Sequence, residues 1–329
     1  MKSTRRTLLG GIAAAAAGQY LSAAKTDTIP VFMDHDGGFP DDYLALALVL
    51  TMPNVKLIGV TVTAADSYIE PAMTGTRKVL AFFKNGAPLA ASDAKGVHPF
   101  PAAWRKTSAE MDRLLSGSSF RLDGMPNPAP VPGHQLIVAA LRGATEPVTI
   151  LATGPLTNIA AALELAPEIE DKIREIVWMG GALQVKGNVE ADDHDGSAEW
   201  NSYWDPPAVA RVWKSKVPIT LCPLDVTNRV PVLKTFLEKL AKRGQFGEIA
   251  AKAYTIGLGQ GELFFWDVLA ASWLGKPDMF TVRNWETVVD VSGKSQGRIH
   301  VEDGGRKIRA LQRVDPEDFH RYLLAQWKR

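Results

Sequence analysis

The chain has 329 residues, 46% of them apolar and 22% charged, with a formal net charge of +1. These are the proportions of a soluble globular protein, long enough for one large α/β domain or two small ones. The near-neutral charge argues against nucleic acid as a partner. A single cysteine, Cys222, excludes an intrachain disulfide and any thiolate metal site.

Residues 1–24 read as an export signal, and residues 25–329 as a single catalytic domain. Arg5 and Arg6 form a paired-arginine n-region, Leu8 to Ala17 is a short Ala- and Gly-rich apolar stretch, and Ser22-Ala-Ala24 offers the small residues a signal peptidase needs. This pattern predicts export to the periplasm by the twin-arginine route. The stretch is too short and too weakly apolar for a stable membrane anchor.

From Ile29 the chain alternates strands and helices. Ile29 to Met33 is an apolar strand, and Tyr43 to Leu50 is long enough for a helix. Val55–Thr63 is a β-branched second strand, Ile69–Lys84 a helix, and Ala87–Ala91 a short third strand. Val97–Pro132, rich in proline, reads as a long loop with at most one short helix. Loops of that length in compact domains are usually functional, for example as lids.

Regular alternation then resumes with a helix at His134–Arg142, a strand at Val148–Thr153, a helix at Ile159–Leu165 and a strand at Ile173–Met179. Gly180–Asn201 is a polar loop, and Asp205-Pro206-Pro207 starts a helix through Val212. Val217–Leu224 is a buried strand around an inert Cys222. Pro231–Gly275 is helical with a break at Gly257–Gly261. Trp285–Val314 reads as a late hairpin turning at Ser292-Gly and Asp303-Gly-Gly, and Asp315–Lys328 as a closing helix. This order implies a mostly parallel, doubly wound open α/β sheet covered by helices on both faces.

The chemistry concentrates between the first strand and helix. Asp34, Asp36, Asp41 and Asp42 place four carboxylates within nine residues, with no Lys or Arg among them. Like charges this close repel, and a hard cation that takes oxygen ligands accounts for the arrangement. The carboxyl ends of strands are also where open α/β sheets bind ligands. The other reading is an acidic cap on a solvated helix start.

Three later stretches carry similar chemistry. Thr153 ends its strand before Gly154-Pro155, which frees its carbonyl. Glu199 and Asn201 are two apart, so an extended segment would turn both the same way, as a carboxylate and amide suited to vicinal hydroxyls. Asp267 heads an otherwise apolar helix, where an unpaired buried acid requires a cation or hydrogen-bond donors. Trp266 beside it offers a flat face.

The stretches Asp34-His-Asp36-Gly-Gly-Phe-Pro-Asp41-Asp42, Thr153-Gly-Pro-Leu-Thr-Asn158, Glu199-Trp-Asn201 and Trp266-Asp267 together resemble the motif set of the nucleoside hydrolases, in that family's order. The resemblance covers about Ile29 to Gly275. The Asp-His-Asp-Gly opening, Ala-Glu-Trp-Asn and the tryptophan before the last aspartate resemble the purine-preferring branch, since the inosine-uridine branch generally has His where Trp266 stands. The resemblance implies Ca²⁺ held by Asp36, Asp42, the Thr153 carbonyl and Asp267, with Asp36 also taking the proton of the attacking water. It implies that Asp41, Asn201 and Asp267 hold the ribose 2′- and 3′-hydroxyls and that Asn188 and Glu199 hold the 5′-hydroxyl. Trp266 and Trp104 become candidates for stacking on the base, and Asp66 a further site contact. Asp34 is then a support for the loop. The family also forms dimers and tetramers, so a homo-oligomer acting on a small ribonucleoside is expected.

One departure stands out: the loop Gly37–Pro40 is one residue longer than the family's usual spacing and must bulge outward to keep Asp36 in place. Two rival readings fit part of the same pattern. A haloacid dehalogenase-type phosphatase also uses Asp-x-Asp-Gly after a strand, with Mg²⁺ and a downstream Lys, but leaves Asp41-Asp42 and Glu199-Trp-Asn201 without a role. The other is an exported nucleoside- or ribose-binding protein without turnover.

Overall fold

The computed structural model describes residues 28–116, 122, 125 and 127–328. The expected export signal therefore lies outside the described residues. Among those described, no helix is long and apolar enough to cross a membrane.

The elements in chain order are β1 (Ile29–His35), α1 (Asp41–Thr51), β2 (Val55–Val62), α2 (Ile69–Phe82) and β3 (Leu89–Ala91). A 3₁₀ turn (Trp104–Thr107) and α3 (Glu110–Leu114) interrupt the long loop. Next come α4 (Gly133–Gly143), β4 (Val148–Ala152), α5 (Thr157–Leu165), β5 (Ile173–Met179), α6 (Trp200–Trp204), α7 (Pro206–Trp213), β6 (Ile219–Cys222) and α8 (Leu224–Thr227). The chain closes with α9 (Lys234–Leu240), α10 (Gln245–Leu258), α11 (Asp267–Gly275), β7 (Phe280–Val289), β8 (Ile299–Val301), β9 (Arg306–Val314) and α12 (Pro316–Gln326).

The nine strands form one sheet in the order β3-β2-β1-β4-β5-β6-β9-β7-β8. Strands β1 to β6 and the β6–β9 pair run parallel, while β7 pairs antiparallel with β9 and β8. The late hairpin is thus part of the main sheet, and its first strand starts at Phe280, five residues before the apolar pattern at Trp285 suggested.

Side-chain alternation divides the core. Val31 and Met33 of β1 pack with α1, α2 and α9 to α12 on one face. Phe32 packs with α4, α5 and α7 on the other, as the period of two along a strand requires. Continuing the alternation, Asp34 turns toward α5 and His35 toward α1 and α2. The sheet grows outward from β1 in both directions, through β2 and β3 on one side and β4 to β6 on the other. The gap between the ends of β1 and β4 is therefore the switch point where such sheets bind ligands.

Three expectations change. The polar loop after β5 ends at Glu199, and Asn201 belongs to α6, whose aromatic sequence Trp-Asn-Ser-Tyr-Trp carries no helical apolar period. Glu199 and Asn201 are therefore a helix cap and a first-turn residue, not two positions of an extended segment. The helical region after Pro231 is three helices, α9 to α11, and α10 continues through Gly257 to Leu258. Between α10 and α11, Phe264 bridges back to Pro231.

Candidate active site

Asp36 leaves the end of β1, and Asp41 and Asp42 open α1. The loop between them folds back on the helix: the Asp42 N–H donates to the Gly38 carbonyl at 3.2 Å, and the Gly38 N–H donates to Asp42 Oδ2 at 2.6 Å. This wrap closes the loop onto the start of α1, and the charge of Asp36 helps to raise the pKa of Asp42. Gly37 has φ +72°, and a Cβ there would stand 2.7 Å from both Ala72 Cβ and Ser67 Oγ, so only glycine fits.

Two neighbours of Asp36 are structural. Asp34 Oδ1 accepts from Thr61 Oγ1 at 2.6 Å and from Asn158 Nδ2 at 2.9 Å, on the α5 side of the sheet. Burial raises its carboxyl to about 7. His35 is fully buried on the opposite side. Its Nδ1 accepts from the Gly37 N–H at 3.2 Å, and its Nε2 faces Thr76 Oγ1 at 3.1 Å. Burial lowers its pKa to about 3, so the imidazole is neutral.

Thr153 follows β4 beside Asp36. The approach is close because residue 154 is glycine: a Cβ there would lie 2.8 Å from Asp36 Cβ. The Thr153 hydroxyl donates to Asp42 Oδ1. Its carbonyl accepts from Asn201 Nδ2 at 3.2 Å, and the same amide reaches the Met179 carbonyl at 3.2 Å. Both hydrogens of that amide are thus used, and Asn201 offers Oδ1 alone to a ligand.

Glu199 caps α6. Its carboxylate accepts from the N–H groups of Asn201 (2.9 Å), Gly181 (3.0 Å) and Ser202 (3.3 Å). Burial still raises its pKa to about 7. Asn188 Oδ1 accepts the Trp200 N–H at 3.0 Å, and its carbonyl accepts Trp200 Nε1 at 3.0 Å.

Asp41 binds the start of α11 and Tyr254 of α10. It accepts from the Tyr254 hydroxyl at 2.6 Å, from the Asp267 N–H, and from the Val268 N–H at 3.2 Å. Burial raises it to about 6 despite these bonds. Asp267, the first residue of α11, is pushed well above the usual carboxylate range by burial and then by the charges of Asp41, Asp36, Glu199 and Asp66. Asp66 lies beyond the end of β2, and its N–H donates to Asp36 Oδ2 at 3.2 Å.

The expected residues therefore converge: Asp36, Asp42, Asp66, Asp267, Thr153, Asn201 and Glu199 are bound to one another or raise one another's pKa. Trp104 and Trp266 lie at the margin. Trp104 is 42% exposed, and its ring makes T-shaped contacts with Trp200 (5.4 Å) and Phe100 (6.0 Å). Half-buried Trp266 meets Phe264 at 5.8 Å. Three contributors escaped the sequence reading. Tyr254 reads as a core aromatic of α10, and a buried tyrosine hydroxyl requires a partner, but nothing local names Asp41. Ser67, whose hydroxyl donates to the Asp36 carbonyl, and Arg105, which binds the Ser67 carbonyl, carry no local signal at all.

The donor set tests the site for a divalent cation. Among the described residues, no three acidic, histidine or cysteine side chains already stand as a ready metal cage. Yet burial and neighbouring negative charge push Asp42 well above the usual carboxylate range, a cost that a bound cation would relieve. Buried carboxylates from three separate segments raise one another's pKa, and Asp66 Oδ1 is buried without a hydrogen-bond partner. All the donors are oxygen, the preference of Ca²⁺ and Mg²⁺. The residues fit such an ion.

The family model described as inosine-uridine preferring nucleoside hydrolase matches residues 31–321. The chain belongs to the nucleoside hydrolases. This hydrolase is 32% identical over 269 residues to the non-specific ribonucleoside hydrolase of Escherichia coli (strain K12), covering 81% of this chain and 85% of that one. The inosine-uridine preferring nucleoside hydrolase of Bacillus anthracis is 39% identical, with a TM-score of 0.85 over 92% of this chain and 99% of that one. The purine-preferring ribonucleoside hydrolase of Gardnerella vaginalis is 26% identical, with a TM-score of 0.74 over 91% and 98%. Family membership decides against the phosphatase alternative, and the enzyme cleaves N-glycosidic bonds of ribonucleosides.

Proposed function

We propose that this hydrolase prefers purine ribonucleosides and depends on Ca²⁺ held by Asp36, Asp42, the Thr153 carbonyl and Asp267. The observation that carries the purine preference is Trp104, a half-exposed residue in T-shaped contact with Trp200, whose flat face a purine base would stack on. A base stacked on such a face gains about 1–3 kcal/mol. Trp266, at the head of the helix that bears Asp267, is the second candidate ring, and Asp66 lies close enough to Asp36 to contact the substrate.

Cleaving the glycosidic bond leaves positive charge on the sugar, and carboxylates ranged around it stabilise that charge. When bound, the ion orients and acidifies water. Asp36 accepts the proton of the attacking water. Asp267 and Asn201 Oδ1 accept the 2′- and 3′-hydroxyls. Asp41 spends three acceptor positions on Tyr254, Asp267 and Val268, leaving about one of a carboxylate's four for the ribose. Glu199 likewise gives three to backbone N–H groups and one to the 5′-hydroxyl, beside Asn188.

The paired arginines support export through the twin-arginine route to the periplasm, and the family supports a homo-oligomer. Osmotic-shock fractionation with an Arg5→Lys/Arg6→Lys control tests the first, and light scattering the second.

Reducing-sugar release from inosine, guanosine, adenosine, uridine and cytidine, each with Ca²⁺ and with EGTA, tests the reaction beside an Asp36→Ala control. Cleavage of purine nucleosides with uridine spared, lost in EGTA and in the control, is the expected result. Equal cleavage of uridine removes the purine preference, and full activity in EGTA removes the metal.

A further inference from the structure

The reading above makes Trp104 the ring that meets the base, and this inference rests on it. The long loop that carries Trp104 must hold that ring at a fixed distance from Asp36, yet the ring's own aromatic contacts are two T-shaped ones, with Phe100 and Trp200. The next residue supplies a second anchor. Arg105 Nε and a terminal guanidinium nitrogen both donate to the Ser67 carbonyl, at 3.2 and 2.8 Å. The guanidinium carbon also lies 4.4 Å from the centre of the Tyr68 ring. Ser108, one turn on, closes the clamp: its hydroxyl accepts the Tyr68 N–H at 3.0 Å and donates to the Arg105 carbonyl at 2.5 Å.

The other side of the same short segment holds the catalytic carboxylate. The Ser67 hydroxyl donates to the Asp36 carbonyl, and the Asp66 N–H donates to Asp36 Oδ2. Residues 66–68 therefore carry Asp36 on one side and the Trp104 turn on the other. We infer that Arg105 is a positioning residue for base recognition: its two-pronged donation to the Ser67 carbonyl, backed by the Tyr68 ring, sets Trp104 relative to Asp36. The planar fork matters because two donors to one carbonyl plus a stacked face fix an orientation that a single ammonium cannot.

The test is a comparison of inosine KM, kcat and the inhibition constant of free ribose in Arg105→Ala, Arg105→Lys, Trp104→Ala and the Trp104→Ala/Arg105→Ala double variant, all saturated with Ca²⁺. Arg105→Ala raises the inosine KM about tenfold, within the range a lost base stack allows. Ribose inhibition stays within about twofold, because free ribose has no base to stack on Trp104. Arg105→Lys shows the same rise although it keeps the charge beside Asp66. The double variant is no worse than Trp104→Ala alone, as for two residues acting through one contact.

Wild-type KM in Arg105→Lys would overturn the inference, since charge rather than the fork would then suffice. So would a parallel loss of ribose binding, or additive losses in the double variant. Trp104→Ala raising KM while Arg105→Ala does not overturns this inference alone. Trp104→Ala leaving KM unchanged overturns the stacking reading, and this inference with it.

Discussion

Asp41 accepts the backbone N–H of Asp267, so the first acid of the paired motif caps the helix that presents the last one. Trp266 occupies the cap position of α11 and has no side-chain acceptor to offer. Asp41, 226 positions before Asp267, does that work, assisted by the Tyr254 hydroxyl on its other oxygen. The helix N-terminus also favours the negative charge of Asp41 there. Two carboxylates that repel each other are thereby held at a fixed separation by the backbone of one of them.

Replacing Asp41 by Ala leaves the Asp267 and Val268 N–H groups and the Tyr254 hydroxyl buried without their acceptor. Each such loss costs about 1–3 kcal/mol, and relief of carboxylate repulsion offsets part of the total. A net destabilisation of about 3 kcal/mol is expected in guanidinium unfolding, with Tyr254→Phe losing about half as much. An Asp41→Ala variant as stable as wild type would show that the cap contributes nothing.

The parts legible in the sequence were those encoded locally. Asp36 and Thr153 each end an apolar run before a turn, and those runs became the neighbouring strands β1 and β4. Asp205 before two prolines gave α7 its start, with the carboxylate accepting the Ala208 N–H at 3.2 Å. What escaped depends on partners distant in the chain. Glu199 looked like one of a pair on an extended face, but backbone N–H groups from Gly181 and α6 turn it into a cap. Tyr254 lies in a helix whose apolar period assigns it to the core, and only the fold brings it to Asp41. The late strands joined the main sheet because β9 pairs with β6, a contact between Leu221 and Ala310 that no local pattern announces.

The buried acids set the response of stability to pH. Burial raises Asp34 and Glu199 to about 7 and Asp41 to about 6, all above their unfolded values. Between about pH 4 and pH 7 the folded chain thus holds protons that the unfolded chain has released, and stability falls as pH rises through that window. The slope is about 1.4 kcal/mol per pH unit for each group still protonated in the fold alone. Burial raises Asp36, Asp42 and Asp267 as well, and a divalent cation held by their ionised carboxylates opposes this loss. Melting temperature in EGTA should therefore fall from pH 5 to pH 8, and excess Ca²⁺ should flatten or reverse the trend. Identical slopes in the two buffers would mean that the acids bind no Ca²⁺.

Thr153 has two separable roles, one for its carbonyl and one for its hydroxyl. The hydroxyl donates to Asp42 Oδ1 while the Gly38 N–H donates to Asp42 Oδ2, so the carboxylate plane is fixed from both edges. Thr153→Val keeps the backbone carbonyl, the β-branched shape and the strand end, and removes only the donor. Loss of a group that orients a metal ligand typically costs 10–100-fold in metal affinity. Calorimetric titration of EGTA-stripped Thr153→Val with Ca²⁺ should show a weakening of about that size, with kcat at saturating Ca²⁺ reduced less than affinity. Unchanged Ca²⁺ affinity would mean that Asp42 is oriented by the Gly38 N–H alone, and that Thr153 serves the site only through its carbonyl.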